Sequence, residues 1–148
     1  MALVTDHLIE LRGLRFHYRD WAGKPADAPT LVMLHGYTGH ARSWDFFAEP
    51  LTEKYRVLAL DMRGHGETQW DPEGNYATRE MVADLAAFVT ALDLQNFALL
   101  GLSMGGIVSI CYAGAAPSAL ARLVIVDIGP EIDKAGLRKI NTLSLIHI

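Results

Sequence analysis

Ser103 stands in the stretch GLSMG (101–105), with a glycine two residues to either side, an apolar run before it and another after it. A serine hydroxyl is a poor nucleophile at neutral pH and needs a base beside it. The G-x-S-x-G spacing meets part of that need. On a sharp strand-to-helix turn, Ser103 takes a strained backbone conformation that lifts its hydroxyl above a sheet. Gly101 and Gly105 keep side chains from colliding in such a turn. The N–H of Met104 then faces a developing oxyanion, and the following helix adds the positive end of its dipole. The competing reading is a structural turn in a nucleotide-binding fold, and no G-x-G-x-x-G or G-K-[ST] is present to support it.

Six histidines are candidates for the base. His7 and His17 fall in an alternating N-terminal segment, His35 precedes Gly36, and His40 sits in the polar continuation of that loop. His65 lies in RGHG, and His147 lies in the final NTLSLIHI. No pair has a spacing on one element that makes a metal site, so none is expected. The single cysteine, Cys111, cannot close an internal disulfide, and in ICYAGAA it reads as a small buried apolar side chain.

The elements that must position these residues alternate along the chain. LIELRGLRFHYRDW (8–21) alternates about Gly13 and reads as a two-stranded antiparallel ribbon. TLVMLHG (30–36) and YRVLALD (55–61) read as buried strands. Between them SWDFFAEPLTEK (43–54) predicts a short helix, interrupted or begun afresh near Pro50. After a polar loop over 62–76, Met81, Leu85, Phe88 and Leu92 recur on one face of a helix predicted over 78–92. Thr78 is its expected N-cap, and Glu80 suits the first turn. A strand over 97–102, the Ser103 turn, a helix over 104–115 and a further apolar strand in LARLVIVDIGP (120–130) complete the pattern.

Apolar strands separated by helices mean a mostly parallel sheet covered on both faces. Chemistry in such sheets gathers at the carboxyl ends of the strands. Those ends are His35-Gly36, Asp61, Leu102-Ser103 and Asp127. The uncharged run from Phe97 to Ala121, with Gly101 and Gly105 four apart, also matches a membrane helix. The alternation of strand and helix patterns before it favours a central strand–turn–helix unit instead.

Four pieces, LVMLHGYTG (31–39), VLALDMRGHGET (57–68), ALLGLSMGG (98–106) and LVIVDIGP (123–130), resemble the α/β-hydrolase superfamily in content, order and spacing. The resemblance covers nearly the whole chain. It implies an α/β fold, the α/β-hydrolase fold, truncated here after about the sixth strand. It implies that the Tyr37 backbone N–H is the second oxyanion donor beside that of Met104, with His35 and Gly36 supporting the loop and Gly101 and Gly105 the elbow. Asp61 and Arg63 are then structural, bonding backbone in their loop. In most members the acid follows the seventh strand and the histidine the eighth. A minority place the acid at the end of the sixth, where Asp127 stands.

On this reading residues 1–130 are the N-terminal part of the core, residues 131–142 begin a cap, and the histidine base is encoded downstream. LSLIHI (143–148) has no family counterpart. It is the translation of CTGTCTCTTATACACATC, which resembles a transposase sequencing adapter, so this tail and His147 are expected to be non-native.

At 148 residues, 51% hydrophobic and 20% charged, the chain has the material for one core. Its net charge of −4 and lack of a basic stripe exclude nucleic acid and an anionic membrane surface as expected partners. MALVTDHLIELRG lacks the basic and long apolar regions of a signal peptide, and the lone cysteine fits the cytoplasm. The expected activity is that of a serine hydrolase on a small-molecule carboxylic ester or lactone, with no cofactor implied. Alternatives on the same fold are a C–C bond hydrolase, a cofactor-free lyase, an acyltransferase and a non-catalytic binding protein. The serine speaks against epoxide hydrolases and haloalkane dehalogenases of the family, which use aspartate. HGYTG in place of HGGPG speaks against its proline iminopeptidases.

Overall fold

The computed structural model describes residues 3–128. Strands β1 (Val4–Leu11), β2 (Leu14–Trp21), β3 (Thr30–Leu34), β4 (Arg56–Leu60), β5 (Phe97–Leu102) and β6 (Leu120–Val126) form one sheet in the order β1-β2-β4-β3-β5-β6. The β1/β2 and β2/β4 pairs are antiparallel and the others parallel. A 3-10 turn (Ala41–Trp44) leads into α1 (Asp45–Leu51), and α2 (Thr78–Ala91) and α3 (Met104–Gly114) follow. The β1–β2 hairpin closes through Arg12 and Gly13 at φ 50° and 82°, so both loop residues are left-handed, as the twist of a two-residue hairpin requires.

Period-2 alternation divides the apolar strands between two cores. Val32, Leu34, Leu58, Leu60 and Leu99 face the side covered by α2 and α3, where they meet Leu85, Phe88 and Val108. Leu31, Met33, Val57, Ala59, Ala98 and Leu100 face the other side, under Ala41, Trp44 and Ala48. The apolar continuity of β3, β4 and β5 therefore reflects burial on both faces. The run from Phe97 to Ala121 resolves into β5, the Ser103 turn, α3 and the start of β6. No helix among the described residues is long and apolar enough to cross a membrane.

Several expectations need correction. The N-cap of α2 is Ala77, with Thr78 the first helical residue and no side-chain cap. Tertiary bonds hold this end instead: the Arg12 guanidinium reaches both the Glu80 carboxylate and the Glu80 carbonyl. Pro50 lies inside α1 rather than breaking it. It stands in the last turn, where a missing N–H forfeits only the bond back to residue 46. The sixth strand ends at Val126, short of the expected span to 130, and Leu123, Val124 and Val126 on it are about two-fifths exposed. It is the edge of the sheet, and no described residue pairs with its outer side. Cys111 is likewise exposed, on the flank of α3 that α2 and the sheet leave open. The expected cap start at 131–142, the tail at 143–148 and His147 lie outside the described residues.

Candidate active site

The elbow is a single left-handed residue between β5 and α3. Ser103 has φ 50° and ψ −112°, a costly conformation for a residue with a side chain. Its backbone is fixed on both sides. The Ser103 N–H donates to the Val126 carbonyl at 2.9 Å, and its own carbonyl accepts from the Ile107 N–H at 3.0 Å. The flanking glycines are required by close approach. A Cβ on Gly101 would lie 2.4 Å from the Gly105 carbonyl oxygen, and one on Gly105 would lie 2.5 Å from the Leu34 carbonyl oxygen. The first turn of α3 is thereby pressed against the ends of β5 and β3. Ser103 is half-buried, and its hydroxyl has no hydrogen-bond partner among the described residues.

The loop after β3 lies against this elbow. A Cβ on Gly36 would be 3.5 Å from the Ser103 Cβ, an ordinary contact distance. The Gly39 N–H donates to the Gly36 carbonyl at 2.9 Å, closing a turn with Tyr37 and Thr38 at its centre. Within the described residues no acceptor takes up the Tyr37 or Met104 amide. The loop is held from below by His35, which is fully buried. Its Nε2 accepts the Met62 N–H at 3.0 Å, so its proton sits on Nδ1 and is donated to the Gly36 carbonyl at 2.8 Å. Burial pushes the His35 imidazole down to about 4, and it stays neutral at neutral pH. With both nitrogens engaged, His35 supports the loop and has no free position from which to serve as a base.

The other described histidines are engaged elsewhere. His17 is buried between two carboxylates, with Nδ1 2.7 Å from Asp61 and Nε2 2.9 Å from Asp6. His7 stacks on Tyr18. His40 is exposed, and its bond to the Ser43 hydroxyl, at 3.2 Å, is a backbone one, donated by the main-chain N–H. His65 places Nδ1 2.9 Å from the Arg63 carbonyl and Nε2 2.9 Å from the Tyr37 carbonyl. Asp127 follows the residue whose carbonyl holds the Ser103 amide, which brings it to the elbow's side. It is exposed, at φ 57°, with no hydrogen-bond partner among the described residues.

Asp61 binds backbone, accepting the Ala41 and Glu67 amides as well as His17. Arg63 does so only in part. It donates to the Asn75 carbonyl at 2.6 Å, but its Nε and second terminal nitrogen grip Asp84 at 2.6 and 2.8 Å, and it also reaches Asp71 at 3.0 Å. Sequence reasoning missed Asp84. The signal was its place beside Met81, Leu85 and Phe88 on the apolar face of α2, where a carboxylate needs a buried cation.

One group, Asp6, His17 and Glu67, has ligand atoms within 4.8 Å of one another. Its charge is already balanced: Arg19 and Arg42 lie 3.1 and 3.4 Å from the same Asp6 oxygen, and Arg42 also reaches Glu67 at 3.0 Å. Two guanidiniums at the carboxylates oppose a metal cation there.

The family described by the alpha/beta hydrolase fold matches residues 29–139. A 3-hydroxybutyrate-oligomer hydrolase of Cupriavidus necator is 32% identical over 127 residues, covering 85% of this chain and 43% of that protein. An N-formylmaleamate deformylase of Pseudomonas putida is 36% identical over 130 residues, covering 88% and 47%. The crystal structure of an alpha/beta hydrolase from Novosphingobium aromaticivorans superposes with a TM-score of 0.88 at 31% identity, over 96% of this chain and 50% of that one. The chain thus spans about half the length of the relatives it matches. The sheet order, the strained serine between β5 and α3 and this match over three-quarters of the sequence agree: the chain belongs to the alpha/beta hydrolase fold family.

Proposed function

We propose that the protein containing this chain is a serine hydrolase acting on a carboxylic ester, lactone or related acyl substrate. The observation that carries the reading is the left-handed Ser103 at the N-terminus of α3, flanked by glycines that no larger residue can replace without a clash. Names of relatives such as 3-hydroxybutyrate-oligomer hydrolase and N-formylmaleamate deformylase support hydrolysis as the reaction class.

In this reading the Ser103 oxygen attacks the acyl carbon while its proton passes to a histidine. The carbonyl π pair moves onto oxygen, and the Met104 and Tyr37 amides stabilise that oxyanion. Each such donor is worth about 2.7–4 kcal/mol in the transition state. Collapse expels the alcohol, which takes the proton from the histidine, and leaves an acyl-serine. Water then repeats the sequence and regenerates the hydroxyl. The histidine is supplied by chain beyond residue 128, and the acid is either Asp127, at the end of the sixth strand, or a carboxylate that also lies beyond residue 128. The lone cysteine fits a cytoplasmic setting.

Rapid mixing of the full-length protein with a p-nitrophenyl acyl ester tests the acyl-enzyme. A burst of p-nitrophenol stoichiometric with enzyme is expected. Turnover without a burst, and with no acyl adduct on Ser103 by mass spectrometry, contradicts the reading.

A further inference from the structure

The His65 side chain faces carbonyl oxygens with both ring nitrogens, and the two carbonyls belong to different loops. One is Arg63 in the loop after β4. That residue is anchored to the body of the protein by its buried pair with Asp84. The His65 backbone is anchored too: its N–H donates to the Met62 carbonyl at 2.9 Å, and its carbonyl accepts from the Thr68 N–H at 3.0 Å. The other carbonyl is Tyr37, inside the turn beside Ser103. The His65 ring also lies 5.0 Å from the His35 ring and 6.4 Å from the Tyr37 ring.

In a four-residue turn the central peptide is the one that flips most easily, since turn types differ mainly in its orientation. Here that peptide joins Tyr37 to Thr38, and its oxygen is the atom His65 holds. The Tyr37 N–H shares its Cα with this carbonyl, so fixing one restrains the other. We infer that His65 is a positioning residue that locks the Tyr37–Thr38 peptide by a hydrogen bond from Nε2 and thereby holds the Tyr37 amide toward Ser103. The catalytic part of this inference rests on the reading of Ser103 as a nucleophile with Tyr37 as an oxyanion donor; the tie itself does not. A carbonyl only accepts, so the tie requires a proton on Nε2, and a side chain with no donor at that reach leaves the peptide unheld.

The test uses the full-length protein with His65→Phe, which keeps an aromatic ring, and His65→Gln, which carries a donor near the reach of Nε2. Amide hydrogen exchange at Gly39, whose N–H closes the turn, reads the tie without any chemistry at Ser103. Exchange about five- to ten-fold faster in the Phe variant, with the Gln variant near wild type, is expected from the loss of one net hydrogen bond. Kinetics on an acyl ester then read its consequence: kcat about five- to ten-fold lower in the Phe variant, KM within two-fold, and recovery in the Gln variant. Unchanged Gly39 exchange in the Phe variant overturns the tie. Faster exchange with unchanged kcat in an active enzyme overturns the positioning role. If wild type never acylates Ser103, the functional reading fails by itself, and the exchange arm still decides the tie.

Discussion

The Gly105 amide donates to the His35 carbonyl at 3.1 Å, which bonds the first turn of the helix after Ser103 to the end of the strand that leads into the Tyr37 loop. The two halves of the site are therefore one backbone-bonded unit. Contact this close leaves no room at Gly105, where a Cβ would meet the Leu34 and His35 carbonyl oxygens at 2.5 and 2.7 Å. Gly105→Ala is expected to cost about 3 kcal/mol, since backbone must move to admit the methyl. Gly114→Ala, whose Cβ would meet nothing within 4 Å, should be neutral or slightly stabilising. Urea unfolding of both variants checks the contrast, and equal stability of the two would contradict it.

His35 links stability to pH. Its folded value of about 4, lowered by burial, lies below the ordinary 6.5 of the unfolded chain. Between those values the unfolded state binds more protons. The contribution is therefore complete above pH 6.5 and is lost progressively as pH falls toward 4. The size of the shift implies a loss of about 2 kcal/mol between pH 7.5 and 5. His35→Gln cannot titrate and should show a pH dependence shallower by that amount. Parallel stability curves for variant and wild type would remove His35 as the source.

Arg63 and Asp84 form a buried pair with both side chains under 5% exposed. Asp84→Ala strands the guanidinium with only Asp71 and one carbonyl, and should cost about 3–5 kcal/mol. The outer pair of the same network, Arg12 with Glu80, is solvated, so Glu80→Gln should cost clearly less than Asp84→Ala. Thermal melting of the two variants separates them. A larger loss for Glu80→Gln would reverse the assignment.

The frame of this protein was legible because its signals are local. The alternating ribbon, the three continuous apolar strands and the apolar face of α2 appear where the sequence places them, and β5 runs from Phe97 to Leu102 as read. So does the elbow, because a glycine pair and a serine at fixed spacing define one backbone conformation. What escaped reading depends on tertiary neighbours. The cap falls one residue before Thr78, on Ala77, whose carbonyl accepts the Glu80 and Met81 amides, while Arg12 reaches in from the hairpin to the Glu80 carboxylate and carbonyl. His17 gave no sign from the ribbon that Asp6 and Asp61 would enclose it. Burial of Cys111 was inferred from its apolar surroundings, but burial also needs a covering neighbour, and none of the described residues supplies one.

The edge of the sheet has a consequence in solution. β6 presents Leu123, Val124 and Val126 on a strand whose outer side is paired by none of the described residues. Such edges pair with other chains. Residues 1–142 expressed alone are expected to self-associate and to lack ester turnover, since no described histidine hydrogen-bonds the Ser103 hydroxyl. Light scattering and a p-nitrophenyl ester assay with a Ser103→Ala control check both. A soluble monomer with serine-dependent turnover would overturn this and place the base within these residues, with His40 and His65 the first to test and Asp127 as the acid.

The central claim is that Ser103 is the nucleophile. Its most direct measurement is labelling of the full-length protein by a fluorophosphonate, followed by peptide mapping and by comparison with Ser103→Ala. The account predicts a single adduct on Ser103, no adduct in the alanine variant, and a fall in esterase rate of at least about 10⁴-fold. An alanine variant that keeps full activity, or an adduct on another residue with Ser103 untouched, would contradict it.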